Sequence, residues 1–217
     1  MSSFRSLWII LLCLLVLAAC EKKQGAVWDG PFGLKEGLLF WEYNQDYRTT
    51  EDNVSKMVYE TYEVPKPDGR FMHYQLVFDP VAGLCKIVAH GKKIRASQDG
   101  RQIIAAYQDI VKELEEAYGP MIDRYDFVHA KSEYQAPTQW MTALLAKERV
   151  LAGYWKTGDR SREAGGKILQ LPDGLARVVV ETRAFNRNTG SITVKYRFSN
   201  YGQCELTART SGAAILQ

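Results

Sequence analysis

The chain has 217 residues, 46% apolar and 24% charged, the composition of an ordinary folded domain; wholesale disorder, collagen and a polytopic membrane protein are excluded. Twenty-eight basic against 25 acidic residues leave a net charge of +3, too mild to argue for nucleic acid. Four cysteines are too few for a disulfide-dense mini-protein.

The N-terminus reads as a processing signal. Arg5 supplies a positive start, and residues 7–17 (LWIILLCLLVL) form an apolar run of eleven. A spanning helix needs about 20 apolar residues. Glu21, Lys22 and Lys23 follow almost at once. This is the layout of a secretory signal peptide.

The signal ends in Leu17-Ala18-Ala19-Cys20, which resembles the lipobox of bacterial lipoproteins. The resemblance implies lipid on the Cys20 thiol, cleavage before Cys20 and acylation of the new amine. The alternative is an ordinary signal peptide with a chance cysteine. Stable anchoring takes more than one acyl chain, since each buried CH₂ contributes only about 0.8 kcal/mol; a lipoprotein cysteine carries two or three. By the same resemblance, Glu21 rather than Asp after the cysteine directs a Gram-negative lipoprotein to the outer membrane. The expected layout is a signal at 1–19, a lipidated cysteine with short linker at 20–33, and one domain at 34–217. An exported protein does not meet DNA, so no nucleic-acid partner is expected.

The linker would end in the turn-rich Trp28-Asp29-Gly30-Pro31-Phe32-Gly33. Residues 38–47 are ambiguous. Residues 58–64 are rich in Tyr, Thr and Val. In 71–78, Met72, Tyr74, Leu76 and Phe78 alternate with His73, Gln75 and Val77, the period of a strand. Pro65-Lys66-Pro67-Asp68-Gly69 between them is a loop, and Asp79-Pro80-Val81-Ala82-Gly83 turns the chain into a third strand at 84–90. An antiparallel meander is expected.

Residues 101–118 are the clearest helix. Ile103, Tyr107, Ile110, Val111, Leu114 and Tyr118 share one face, with Asp99 as N-cap and Gly119-Pro120 as stop. The run 114–120 after a strand pair resembles modules of small envelope lipoproteins; no functional residue is carried over from it. A second helix is expected from Pro137 to about Lys147, with Trp140, Met141, Leu144 and Leu145 inward. Strands follow at 149–155, 167–171, 175–185 and 191–199, the last two joined by a five-residue loop at 186–190. The order β-β-β-α-α-β-β-β-β, with strands in runs, argues an α+β fold with an antiparallel sheet and two central helices.

Cys13 leaves with the signal and Cys20 is expected to be lipidated. In an oxidising compartment the remaining pair, Cys85 and Cys204, is expected to form a disulfide. The alternative is two separate buried thiols. Without Cys-x-x-Cys, redox catalysis is not expected.

No motif supplies chemistry. His73, His90 and His129 lack zinc-hydrolase spacing, although His73 and His90 sit on neighbouring expected strands and could meet. There is no Gly-x-Ser-x-Gly, no Ser-x-x-Lys and no phosphate-binding glycine loop. Carboxylate neighbours such as Asp123 and Asp126 read as solvated charge. No cofactor or metal is expected.

Two features point to binding. Trp28, Phe32, Phe40, Trp41, Tyr43 and Tyr47 crowd the start of the domain, as core or as an interface. Charge is also uneven. Residues 149–217 hold 11 basic and 5 acidic side chains, residues 20–148 hold 16 and 20. Lys195 and Arg197 would share the polar face of one strand, and Arg177 and Arg183 that of the strand before it. Together these four would form a basic patch toward an anionic surface, or a plain solvated sheet face. The expected function is a lipid-anchored, non-enzymatic envelope protein that binds an envelope protein or the membrane or wall surface. An envelope hydrolase with a site assembled from distant residues is the alternative.

Overall fold

The computed structural model describes residues 25–51, 57–161 and 165–211; the signal and Cys20 lie outside them. The described strands are β1 (Thr50–Glu51), β2 (Val58–Thr61), β3 (Phe71–Asp79), β4 (Gly83–Gly91), β5 (Ile94–Arg95), β6 (Asp123–Val128), β7 (Arg149–Lys156), β8 (Leu175–Asn186) and β9 (Thr189–Phe198). The helices are α1 (Phe40–Asp46), α2 (Arg101–Tyr118), α3 (Trp140–Leu145) and α4 (Tyr201–Ser211). One antiparallel sheet runs in the order β1-β2-β3-β4-β9-β8-β7-β6, and β5 prolongs the line of β4 along β9. The expected α+β fold with an antiparallel sheet is present. Two meanders, β1–β4 and β6–β9, are joined by the β4–β9 pair, in which Ile87 faces Tyr196 and Ala89 faces Val194.

The period of two along each strand gives the sheet an inner and an outer face. Ile192, Val194, Tyr196 and Phe198 of β9 and Val178 and Val180 of β8 point inward. There they meet the stripe Ile103, Tyr107, Ile110 and Leu114 of α2, together with Trp140, Met141 and Leu144 of α3. Trp155 lies fully buried beside them and donates from Nε1 to the Gly119 carbonyl at 2.7 Å. On the outer face α4 packs chiefly on β3 and β4. It buries a small second cluster of Val77, Cys85, Tyr201, Cys204 and Ala208.

Several boundaries differ from expectation, each for a local reason. The turn at 28–33 is not a spacer: Pro31 and Gly33 are buried, and Phe32 packs edge-on to Phe71, Tyr74 and Tyr196 at 4.8–5.7 Å. The start of the chain's aromatic run is likewise core, apart from Trp41, which is 61% exposed. A register shift between Phe71 and His73 turns Met72 outward, and Phe71 takes its inward place. Gly100, not Asp99, is the residue at the head of α2. Its φ of +72° and its contact with the Trp140 ring leave no room for a Cβ, while Asp99, one residue earlier, accepts from the Ser97 hydroxyl and from the Arg101 amide at 3.4 Å. The second helix begins as a 3-10 turn at Pro137–Gln139 and leaves Leu145 exposed. Residues 167–171 make only a single bridge, Arg160 to Ile168. The β8–β9 loop shrinks to Arg187 and Asn188, because Asn186 already pairs with Thr189.

The Cys85–Cys204 disulfide is formed, with Cα atoms 6.6 Å apart, and closes a separation of 119 residues. Chain entropy alone assigns such a loop about 4–5 kcal/mol. Cys85→Ala with Cys204→Ala is expected to lose up to about that much in chemical denaturation. Hydrogen exchange should rise first in α4, the element the bond pins to the sheet. Unchanged protection of residues 201–211 would show that packing alone holds the helix.

Candidate functional site

No described helix packs on the outer face of β6–β9, and it is here that the basic residues gather. Cross-strand register puts Lys86 of β4 opposite Arg197 of β9, Arg197 opposite Arg177 of β8, and Arg177 opposite Lys156 of β7. Four cations thus stand side by side across four adjacent strands, spaced by about 4.8 Å per strand. Lys195 lies one pleat along β9 and Arg183 further along β8. All four sequence-expected residues, Arg177, Arg183, Lys195 and Arg197, share this face. The sequence offered no register that would add Lys86 and Lys156.

Like charges directly opposite one another in a sheet are destabilising. Part of the excess is compensated: Lys195 pairs with Glu181 at 2.8 Å and Lys156 with Asp159 at 2.9 Å. Arg177 and Arg197 form no ion pair among the described residues, and the buried Nε of Arg177 has no hydrogen-bond partner. Instead three arginines rest on aromatic rings. Arg177 lies over Tyr154 at 5.3 Å, Arg183 over Phe185 at 5.3 Å and Arg197 over Tyr201 at 4.4 Å. Such stacking fixes the guanidinium without consuming its charge. Tyr125 and Phe127 of the edge strand β6 add exposed aromatic surface, and Tyr125 stacks on Tyr154.

At the α4 end of the row, Lys86 is fully buried, with Nζ 5.6 Å from the Tyr201 ring. Burial, aided by Arg197 and Lys195, pushes it down to about 8.

His73 and His90 do meet. They are register partners, with rings stacked 4.4 Å apart and only 10° from parallel. Parallel rings do not converge their lone pairs on one point, and no group of three or more metal-ligating side chains occurs among the described residues. His90 Nε2 lies 2.8 Å from Gln75 Oε1, so the neutral ring carries its proton there. Gln75 in turn donates to Glu60 at 3.0 Å. Asp123 and Asp126 stand on opposite faces of β6, and Asp126 is engaged by Arg124 and Arg149. Two hollows on the inner, helix-covered face are lined by neither His nor Ser.

No protein family, curated protein or solved structure matches the chain. No described helix is long and apolar enough to cross a membrane.

His90 supplies a pH test of this face. Burial first, and His73 second, lower it from 6.5 to about 4. Between these values the unfolded chain binds the proton and the folded chain does not, so stability falls as pH drops through that window. The loss from this half-buried ring is on the order of 1–2 kcal/mol after solvent screening. Melting curves at pH 7 and pH 4.5 should therefore converge in His90→Gln relative to wild type. Equal acid sensitivity of the two would assign the loss to carboxylates.

Proposed function

We propose that this chain is a lipid-anchored protein of the bacterial cell envelope with a binding role and no catalytic one. Lipid on Cys20 holds it to the membrane, which is the outer membrane in a Gram-negative host. Its outer sheet face binds an anionic envelope partner. The observation that carries this reading is the bare face itself. It holds arginines without acid partners, each seated on a ring, and Arg and Tyr are, with Trp, the residues enriched at interface hot spots.

The tether limits where that face can point. Four residues separate Cys20 from Gly25, so the five steps between them reach at most about 18 Å. Residues 25–28 then pack on α1: the Ala26 amide donates to Asp46 and the Trp28 ring lies tilted against Tyr47 at 6.3 Å. Their place is on the inner side, with the helices. The cationic row lies on the other face, so an anchored domain need not lay it on the bilayer that holds the lipid. This favours an envelope macromolecule beside the domain over the anchoring membrane as the partner.

Two measurements test the reading. Cys20→Ala should abolish labelling by a clickable palmitate analogue and leave unprocessed precursor; continued labelling would refute the anchor. Photo-crosslinkers at Phe185 and Tyr125 should capture a partner in native envelopes. Arg177→Glu with Arg197→Glu should weaken that capture at least about tenfold, since reversed charge at a contact opposes association. Salt should act alike, because the Debye length shrinks from about 10 Å at 0.1 M to about 3 Å at 1 M. Capture indifferent to both would make the row an ordinary solvated face. Binding to anionic vesicles by wild type alone would make the membrane the partner.

A further inference from the structure

The opposite, inner face holds a different kind of site. Between α2, the start of β3 and the turn at Phe32 lies a hollow of about 230 Å³. Phe32 and Tyr118 wall it, and Tyr196 of β9 lies on its floor. Tyr196 is only 6% exposed, yet its hydroxyl makes no hydrogen bond to any described residue. The Tyr118 hydroxyl makes none either. Neither oxygen is among the fully buried atoms without a partner, so each reaches the open space of the hollow, where a ligand can take the place of water. Burial lifts the Tyr196 phenol well above its ordinary value, so it remains a donor at any physiological pH.

The rim fixes the charge a ligand meets. Arg70 donates from Nε to Asp68 at 3.0 Å and from Nη1 to Glu113 at 2.8 Å, bridging the two carboxylates. Burial pushes the Asp68 carboxyl up, but the Arg70 hydrogen bonds outweigh it and hold the group below the usual carboxylate range. Lys92 lies close enough to lower it further. Two acids and two bases leave the mouth near neutral. An anionic ligand would have to displace a carboxylate from Arg70 and then face it. A cation would find both carboxylates already occupied. A purely apolar ligand would leave the phenols unsatisfied, at about 1–3 kcal/mol each. Flat aromatic walls with hydroxyl donors on the floor and charged acceptors at the rim suit a ring that is apolar on its faces and hydroxylated at its edge.

We infer that this hollow binds a neutral, hydroxyl-rich ring, a single sugar unit, with the Tyr196 and Tyr118 hydroxyls and the Asp68–Arg70–Glu113 bridge as its polar contacts. The site is independent of the cationic outer face, because Tyr196 points away from Lys195 and Arg197 on the same strand.

The test is saturation-transfer NMR on the full-length protein in detergent, with methyl β-glucoside and N-acetylglucosamine as probes. Cyclohexanol and inorganic phosphate serve as the apolar and anionic controls. Saturation transfer to the sugar ring protons, saturable in the millimolar range, is the expected result. Tyr196→Phe keeps the ring and removes the hydroxyl. It should weaken sugar binding about tenfold with an unchanged melting temperature, a factor that corresponds to about 1.4 kcal/mol. Ala117→Phe fills the hollow from α2 and should abolish binding. No transfer to either sugar overturns the inference, as does equal binding by both variants. Stronger transfer to cyclohexanol, or phosphate binding lost in Ala117→Phe, would assign the hollow to another ligand class and overturn it as well.

Discussion

The pairing of β4 with β9 is the constraint on which the rest depends. Each meander alone is a four-stranded sheet with one apolar face and an open edge. Joining them edge to edge across about 100 residues of chain removes both central edges and makes one surface wide enough for α2 and α3 to cover. The seam is then buried from both sides. Ile87 and Val194 lie under the helices, while Cys85 lies under α4 with its disulfide to Cys204. The covalent bond sits beside the least local strand pairing in the sheet, where loop closure is demanding. Because α4 is short and tied to β3 and β4, nothing is left in the described chain to cover β6–β9 from outside.

That bare face is where local rules are broken. Four basic residues in register across four strands oppose the sheet they belong to, and one of them, Lys86, is fully buried. Asp159 pairs with Lys156, Glu181 pairs with Lys195, and Glu181 and Glu205 lie near Lys86, so the row is relieved in part. Violations of this kind concentrate at functional positions, where stability is traded for recognition. The ring beneath each arginine strengthens the point. Tyr154, Phe185 and Tyr201 lower the entropy of the guanidinium before any partner arrives, and such preorganisation raises affinity rather than stability.

Legibility in the sequence followed burial contrast. Helix α2 and strands β8 and β9 each bury one face against a continuous layer and expose the other, so their periods were plain and their bounds fell within a residue or two. Strand β6 gave no such signal. It is an edge strand whose inward positions carry Arg124 and Asp126, satisfied by Arg149 rather than by apolar packing. Helix α4 was equally silent, since it buries only Tyr201, Cys204 and Ala208, too narrow a stripe to stand out. The basic face was readable because alternation fixes sides within a strand. Its full row was not, since register between strands is set by hairpins and by bulges such as the one between Leu175 and Arg177. The hollow was invisible for a stronger reason: Phe32, Asp68, Glu113 and Tyr196 come from four distant segments, and Tyr196 looks in sequence like any core residue of an alternating strand.

Strand β9 serves both candidate sites at once, through successive residues. Lys195 and Arg197 face the outer side, while Val194 and Tyr196 face the hollow, and a pleated strand cannot exchange these assignments without slipping by a whole residue. Such a slip is blocked on both flanks. On one side Lys86–Arg197 and His90–Thr193 bound the register with β4; on the other, β8 holds β9 over ten pairs from Leu175–Phe198 to Asn186–Thr189. The two faces are therefore mechanically tied but chemically separate. Side-chain changes on one face leave the other intact, and effects at sites without shared partners add. Communication between them would require β9 to move as a body. The disulfide and α4 oppose that motion by clamping the seam beside it.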